Sequence, residues 1–438
     1  MLVLVALVSH AAARSKAVQS LQHPVLDSTT VRSFTVYSDP VALRYGEVFM
    51  HNDTEDVDAF NRPLPSEVVH RYSDARRAMA VREVKLDIVR YVGGKEVSVP
   101  LSDVYNHHAK ISIGESHDEG SWGNQSTNGQ FQKGFGGDFR GTVHAYTAPF
   151  QPVVLRPQGW RCFLHFINTR RPLNLVGAPG PPSFSPLSQC PCTPQRRFNI
   201  SAGTVDGDPA SPPFAACGSN ASGNSAWSPE SGNSACSLQT YRGGTRCCAG
   251  GNFLIDTATA CASPDCAEYP EDVVYCKVTI EYVDAAPDTR PTSQRLMFDV
   301  MPVNNEYDVP QCATGTPPSE CFHVMINEYE MKDSDFDLSI MVPHQHSSAL
   351  SFELQDARTN ETLCRVDRSD GSLVYGTGAE PGNESGYLVS MLNCRWTAAN
   401  APRMREGQLL RGISVYNASS NQYGVMGQWG FWGASPRT

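Results

Sequence analysis

The sequence predicts an all-β protein of two β-sandwich (jelly-roll-like) domains with a cysteine-rich insertion between them. No long amphipathic helical pattern occurs along its 438 residues. The chain instead contains short runs in which apolar and polar residues alternate, broken by Gly, Pro and Asn, and this pattern is typical of β-sandwiches. The length is sufficient for two or three domains, each with its own core.

The amino-terminal third predicts an export signal followed by the first sandwich. Residues 1–14, MLVLVALVSHAAAR, form an apolar run that ends in small residues, as in a secretory signal peptide. We expect residues 15–174 to form the first sandwich. Its clearest strand lies within VREVKLDIVRYVGG (81–94), where Val84, Leu86 and Ile88 share one face before a turn at Gly93–Gly94. The strands YNHHAKISIG and WRCFLHFIN (160–168) flank a Gly-, Asn- and Ser-rich stretch, 114–141, that predicts a long loop.

The composition changes at residue 175 and changes back near residue 273. Residues 175–272 are rich in Pro, Ser, Gly and Cys, which predicts a disulfide-stapled insertion rather than a regular sheet. Alternating strands return with VVYCKVTIEYVD and continue through DLSIMVPHQHSSALSFELQD and YGVMGQWGFWG. We therefore expect residues 273–438 to form the second sandwich.

Cysteines and glycosylation sequons favour a secreted protein. Fourteen cysteines fit an oxidising compartment and up to seven disulfides. The spacing predicts that Cys312 pairs with Cys321 and Cys364 with Cys394, whereas the connectivity within the insertion stays open. Seven Asn-x-Ser/Thr sequons predict glycosylated surface loops, at Asn52, Asn124, Asn199, Asn220, Asn360, Asn383 and Asn417.

Charge and motifs exclude several classes of function. The formal net charge of −10 is dispersed, which argues against nucleic acid or an anionic membrane surface as the main partner. No later stretch is long and apolar enough to predict a transmembrane segment. The chain lacks the G-x-S-x-G, P-loop and H-E-x-x-H signatures.

Histidines in strand contexts are the candidate metal ligands. His344 and His346 form an i, i+2 pair, which places both imidazoles on one face of a strand. The alternative is two surface histidines on an edge strand. His107 and His108 are adjacent, so a regular strand would send their rings to opposite faces. They share a metal only at a strand end or bulge, with a different ring nitrogen from each.

His165 and Met426 complete the candidate set, although each alone is explained by a role in the core. His165 lies in the apolar strand CFLHFINTR, and Met426 lies in the Gly-rich strand YGVMGQWGF. Imidazole together with thioether is a donor set that favours copper, above all Cu(I), over zinc or calcium.

This ordered set resembles the copper type II ascorbate-dependent monooxygenases, the group of peptidylglycine α-hydroxylating monooxygenase and dopamine β-monooxygenase. The resemblance implies two coppers, one held by His107, His108 and His165 and the other by His344, His346 and Met426. It also implies that ascorbate supplies electrons, that O2 reacts at the second copper, and that the product is a hydroxylated C–H bond. On this reading His344, His346 and Met426 are the catalytic set.

A closer resemblance is to the stress up-regulated nodulin (nodulin-nineteen) family. It rests on VYNHHAK, LHFINTR, GGTRCCAGG, PHQHSS, GNESGYLVSMLNC and YGVMGQWGF, and it runs from about residue 80 to the end. The insertion has no counterpart in the peptide-hydroxylating enzymes, and their substrate-binding residues are not found in this sequence. We expect a secreted, monomeric copper protein that hydroxylates an unknown small molecule or peptide. The alternatives are a copper-binding, stress-associated glycoprotein without turnover, and a binding module whose histidines are structural.

Overall fold

The computed structural model describes residues 26–44, 48–50, 62–114, 131–137, 140–170, 271–300, 306–420 and 422–436, together with five short strands between residues 189 and 255. The predicted signal peptide, residues 1–14, lies outside the described residues. The described chain is almost entirely β-structure, so the predicted fold class is confirmed. Its one α-helix, α1 (Ser66–Arg71), is short, and no described helix is long and apolar enough to span a membrane.

In the described residues, twelve strands precede the insertion. They are β1 (Arg32–Tyr37), β2 (Val41–Leu43), β3 (Val48–Met50), β4 (Arg62–Pro63), β5 (Ala78–Val92), β6 (Lys95–Ser98), β7 (Val104–Gly114), β8 (Phe131–Phe135), β9 (His144–Ala145), β10 (Phe150–Gln151), β11 (Val153–Leu155) and β12 (Gly159–Asn168).

Five short strands lie in the insertion and fourteen follow it. Those in the insertion are β13 (Gln189–Cys190), β14 (Phe198–Asn199), β15 (Thr204–Val205), β16 (Gly244–Cys248) and β17 (Gly251–Ile255). Those after it are β18 (Asp272–Asp284), β19 (Arg290–Pro291), β20 (Ser293–Asp299), β21 (Glu306–Val309), β22 (Phe322–Glu330), β23 (Phe336–Gln345), β24 (Ala349–Asp356), β25 (Thr362–Asp367), β26 (Leu373–Tyr375), β27 (Leu388–Met391), β28 (Cys394–Arg395), β29 (Arg403–Met404), β30 (Leu409–Asn417) and β31 (Gln422–Ala434).

The first sandwich packs two antiparallel sheets around an apolar core. One sheet has the order β1-β18-β5-β11, and the other has the order β3-β12-β7-β8. Strand β5 places Val84 and Ile88 in the core and turns into β6 at Gly93 and Gly94, both with positive φ. Glycine suits such a turn because it adopts positive φ without steric cost. The predicted 114–141 loop contains the strand β8, which pairs with β7.

The sequence predicts that the second sandwich begins at residue 273, but in the structure it begins after β18. Strand β18, the first strand after the insertion, lies between β1 and β5 in a sheet of the first sandwich. The insertion is therefore an excursion from the first sandwich, leaving after β12 and returning at β18. Sequence order did not reveal this, because antiparallel strands can pair across any length of intervening chain.

The second sandwich is built from two sheets after β18. The outer sheet has the order β22-β30-β24-β25, and the inner sheet has the order β20-β31-β23-β28. Strands β23 and β31 pair over most of their length, and Trp429, Phe431 and Leu338 fill the core between the sheets. Both predicted disulfides, Cys312–Cys321 and Cys364–Cys394, are present in this half of the molecule.

The two sandwiches are joined by an apolar and polar interface. Ile340, Val342 and Trp432, on the inner sheet of the second sandwich, belong to the core of the first. The carboxylate of Glu384, in the second sandwich, pairs with the Arg140 guanidinium at 3.4 Å and accepts a hydrogen bond from the Leu101 amide at 3.0 Å. Apolar contacts and a buried ion pair therefore both contribute to the interface between the sandwiches.

Candidate metal centre

A β-bulge brings His107, His108 and His165 together. His108 lies opposite His165 in the β7–β12 ladder, whereas Phe166 lies opposite Asn106, so His107 is the extra residue. Two residues of β7 therefore face one residue of β12, and a bulge of this kind re-aims side chains. The ring centroids of His107 and His165 are 4.4 Å apart, and those of His107 and His108 are 4.2 Å apart.

The three imidazoles present one ligand atom each within 4.8 Å of one another. No other group of three His, Cys or acidic side chains in the described ranges satisfies this spacing. The Nδ1 atoms of His107 and His108 are 2.6 Å apart. The sequence predicts that the two residues present different ring nitrogens to one metal, and the short contact shows only that their Nδ1 atoms face each other.

The surroundings disfavour protonation of the three rings, of which His165 is buried, His107 half-buried and His108 exposed at the surface. Burial lowers the pKa of His107 far below its ordinary value, and the nearby rings of His108, His165, His346 and His344 lower it further. Burial also lowers the pKa of His165 to about 4. The neutral form of imidazole is the protonation state that a metal ligand requires.

The Nε2 atom of His165 is buried and has no hydrogen-bond partner among the described residues. A buried polar atom without a partner is unusual in a folded protein and needs a physical explanation. The donor chemistry of the cluster fits a metal with an imidazole preference, such as copper or zinc.

In the second predicted set, His344 lies on β23, His346 lies just beyond the end of β23, and Met426 lies on β31. His344 pairs with Gln428, and Gln345 pairs with Gly427, so one further step of the register places His346 opposite Met426. Directly opposite residues in an antiparallel pair project from the same face. The rings of His344 and His346 have centroids 5.3 Å apart, and Met426 is 4% exposed.

Tyr416 ties the two ends of this second set together. Its hydroxyl accepts a hydrogen bond from the His346 backbone amide at 2.9 Å and donates one to the Met426 carbonyl at 2.6 Å. The residue lies on β30, in the opposite sheet of the sandwich, and is fully buried. Sequence reasoning missed Tyr416, because no local signal indicates a hydroxyl that bridges two distant strands.

The two histidine sets face each other. His344 and His346 continue the alternation of Ile340 and Val342, whose side chains pack against the first sandwich. The imidazoles of His344 and His346 both act on the pKa of His107, as expected of nearby groups. The structure therefore brings all six predicted residues to the region between the two sandwiches.

Asp299 is a further polar group beside the second set, and sequence reasoning missed it too. It lies opposite Gln428 in the β20–β31 ladder, which places Asp299, Gln428 and His344 in one row across three strands. Burial raises the pKa of the Asp299 carboxyl, and the Gln428 hydrogen bond and nearby His344 oppose that shift only in part. A carboxyl in this position is able to orient an imidazole or hold a proton.

A cleft of about 660 Å³ opens beside the second set. It begins at Ser347, directly after His346, and Tyr375, Asn417 and Gln422 also line it. The guanidinium of Arg368 lies 5.0 Å from the centre of the Tyr375 ring. Hydroxyl and amide groups line the cleft, and one of these hydroxyls belongs to Ser347, the residue next to His346.

One comparison with known protein families gives a match in the second half of the chain. Residues 231–432 match the family Stress up-regulated Nod 19. The Nod 19 match contains His344, His346 and Met426 and does not extend to His107, His108 or His165. It supports the predicted nodulin-nineteen resemblance over these residues, and it leaves the copper ligand set untested.

Other comparisons add no argument about function. The search of curated proteins gives no match. One solved structure, "Cryo-EM structure of T=3 Penaeus vannamei nodavirus", aligns over 99% of this chain and 97% of its own, with 8% identity. Its TM-score of 0.15 is too low to indicate a shared fold.

Three of the predicted glycosylation sites are on described surface. The side chains of Asn360 and Asn383 are exposed, and that of Asn417 is half-buried. The side-chain oxygen Oδ1 of Asn360 accepts a hydrogen bond from the Arg411 guanidinium, and Oδ1 of Asn383 accepts one from the Thr377 backbone amide. Asn52, Asn124 and Asn220 lie outside the described residues, and the side chain of Asn199, in β14, is not described.

Proposed function

We propose that this is a secreted copper protein with two sites, which uses ascorbate and O2 to hydroxylate a C–H bond of a small molecule or peptide. The observation that carries the proposal is the β-bulge at His107, which turns two adjacent histidines toward His165. A strand histidine pair without a ligand has no need of such a bulge, and bulges are enriched next to functional sites.

The residues divide into a harder and a softer site. His107, His108 and His165 would hold one copper by imidazole alone. His344, His346 and Met426 would hold the other by two imidazoles and a thioether, a set that favours Cu(I). Bound copper supplies one-electron redox chemistry and a place for oxygen to react.

Other residues of the chain position the candidate ligands and line a space for the substrate. The Tyr416 hydroxyl fixes the backbone at His346 and Met426, and therefore fixes the spacing between these two donors. Asp299 lies in the row that contains His344, and its carboxyl accepts a hydrogen bond from the Gln428 side chain. The cleft lined by Ser347, the residue after His346, is a described space in which a substrate can lie.

Secretion is supported by covalent features. Two disulfides are present in the second sandwich, as expected for an oxidising compartment. The exposed sequons at Asn360 and Asn383 are accessible to glycosylation.

A second candidate is a copper-binding glycoprotein of stress responses that does not turn over. The match to a family described by its stress up-regulation favours this candidate, since that description concerns expression rather than chemistry. Both candidates bind copper at the same six residues, and they differ only in oxygen consumption.

Oxygen uptake separates the candidates. We expect copper-loaded wild-type protein to consume O2 with ascorbate, and Met426→Ala to lose this activity while it keeps the first copper. If copper-loaded wild-type protein consumes O2 no faster than Met426→Ala, the monooxygenase is refuted and the copper-binding protein without turnover is favoured. Wild-type protein that retains no copper after dialysis would refute both.

A further inference from the structure

Two cysteines meet in the interior of the first sandwich. Cys162 lies on β12 and Cys276 on β18, and their Sγ atoms are 3.5 Å apart. Both are unpaired thiols in the structure, with 1% and 0% of their surface exposed. Because β12 and β18 belong to opposite sheets, the contact spans the space between the sheets.

The surroundings of the pair are apolar. Ile111 lies opposite Cys162 in the β7–β12 ladder, and Ile88 lies opposite Cys276 in the β5–β18 ladder. All four residues belong to the same core cluster. Burial raises the pKa of the Cys162 thiol, and its hydrogen bond with Cys276 raises it further. A thiol in this setting is protonated and shielded from reagents once the sandwich has closed.

We propose that Cys162 and Cys276 form a disulfide that joins the two sheets of the first sandwich. The sulfurs must approach by about 1.5 Å to reach the bond length of a disulfide, near 2.05 Å. The two sheets already hold the Sγ atoms in contact before the bond forms. The two free thiols in the structure are the reduced form of this disulfide.

The bond forms by exchange with an external disulfide, such as that of a thiol oxidoreductase in the secretory pathway. The thiolate of one cysteine attacks that disulfide, forms a mixed disulfide and releases one thiolate. The second cysteine then attacks the mixed disulfide, the Cys162–Cys276 bond forms, and the second external thiolate leaves. Two cysteine thiols are oxidised, one external disulfide is reduced to two thiols, and two protons are redistributed. Because a thiolate is required, the exchange takes place before the core closes.

The position of the bond gives it two structural consequences. Cys162 and Cys276 are 114 residues apart and enclose the whole insertion, so the bond would clamp the base of that excursion. Strand β12 also carries His165, three residues after Cys162 and on the opposite face. The bond would therefore fix the strand that supplies the buried ligand of the first candidate site.

Alkylation mapping of the full chain tests the proposal. The protein is produced through a eukaryotic secretory pathway, unfolded in guanidinium with N-ethylmaleimide and no reductant, digested and analysed by mass spectrometry. We expect a cross-linked peptide containing Cys162 and Cys276, with no alkylation of either residue. Full alkylation of both, in a sample whose Cys364–Cys394 bond is intact, would overturn the proposal, and so would pairing of either residue with another cysteine.

A matched variant checks that the pairing is specific. Cys312→Ser with Cys321→Ser removes a disulfide of the second sandwich only. The Cys162–Cys276 peptide should be recovered from this variant in the same yield as from wild type. A loss of that peptide would show that the pairing depends on shuffling from the second sandwich, and would contradict the assignment.

Discussion

His107 and His108 share one position opposite His165, and their Nδ1 atoms are 2.6 Å apart. This relationship converts the strand alternation that separates adjacent side chains into a cluster of three imidazoles. It also leaves the Nε2 atom of His165 buried without a hydrogen-bond partner in the described structure. Testable consequences follow from this cluster, from the second set opposite it, and from two buried ion pairs. One of these pairs lies within the first sandwich and the other lies between the two sandwiches.

Replacing His165 by Leu should stabilise the metal-free protein and abolish its first copper site. A buried polar atom without a partner costs about 1–3 kcal/mol, and leucine removes that cost at similar volume. Urea unfolding in the presence of a chelator should therefore show a gain of roughly 1 kcal/mol. A variant that is less stable without metal and still binds both coppers would contradict the assigned role of His165.

Tyr416→Phe should weaken the second copper site and leave the first unchanged. The substitution leaves the amide of His346 and the carbonyl of Met426 without their shared partner, at a cost of about 1–3 kcal/mol. Copper titration should show one affinity lowered and one retained. Tyr329→Phe is the matched control, because Tyr329 lies in the same sandwich and packs its ring against Phe298. Equal effects of the two substitutions would argue against the bridge.

Asp284 should make the first sandwich sensitive to acid. This fully buried carboxylate accepts hydrogen bonds from Arg71 at 2.6 and 2.8 Å, from Tyr72 and from the Asp27 amide. Burial raises its pKa, but these hydrogen bonds together outweigh burial and hold the pKa below its ordinary value. The resulting stability is present above the pKa of an unfolded aspartate, about 3.9, and is lost as the pH falls through the lower folded value.

The matching variant is Asp284→Asn, which should lose stability at pH 7 because it leaves Arg71 without its charge partner. Breaking a buried pair in this way costs about 3–5 kcal/mol. Its unfolding free energy should then vary less between pH 5 and pH 2 than that of wild type, measured by denaturant titration on a ~1 pH-unit grid. Parallel curves for the two proteins would exclude Asp284 as the source of the acid sensitivity.

The Arg140–Glu384 pair should hold the two sandwiches together. Arg140→Met removes the cation beside a carboxylate that is 1% exposed, and we expect a loss of about 3–5 kcal/mol in unfolding free energy. Arg140→Met combined with Glu384→Gln removes both charges of this pair and should recover part of that loss, while the Asp87 carboxylate, which pairs with the same guanidinium at 2.9 Å, is without that charge partner in both variants. If the double variant is no more stable than the single one, the charge pair does not carry the interface.

Sequence alone predicted the strands, and the irregular backbone at the paired histidines, better than it predicted which strands pair. The alternation around Val84 and Ile88 marked β5, and the need for two adjacent histidines to share a metal predicted an irregular backbone at His107. Which ring nitrogen each histidine presents to a metal stays a prediction, because the direction of an imidazole depends on the detailed geometry of the bulge.

The remaining misses have one cause, which is contact between residues distant in sequence. Strand β18 was assigned to the wrong sandwich because its partners, β1 and β5, lie on the other side of the insertion. Tyr416, Asp299 and Glu384 act through groups on other strands, and a single sequence shows no local pattern for them. Strand β8 was missed because FQKGF is short and lies in a Gly-rich stretch.

Metal analysis of three single variants tests the central claim most directly. Wild-type protein purified without a chelator should contain two copper ions per chain, and His108→Ala and His346→Ala should each contain one. His70→Ala, an exposed histidine on α1, should match wild type. If His108→Ala and His346→Ala carry the same copper content as wild type, His108 and His346 are not ligands and the two-site account is wrong.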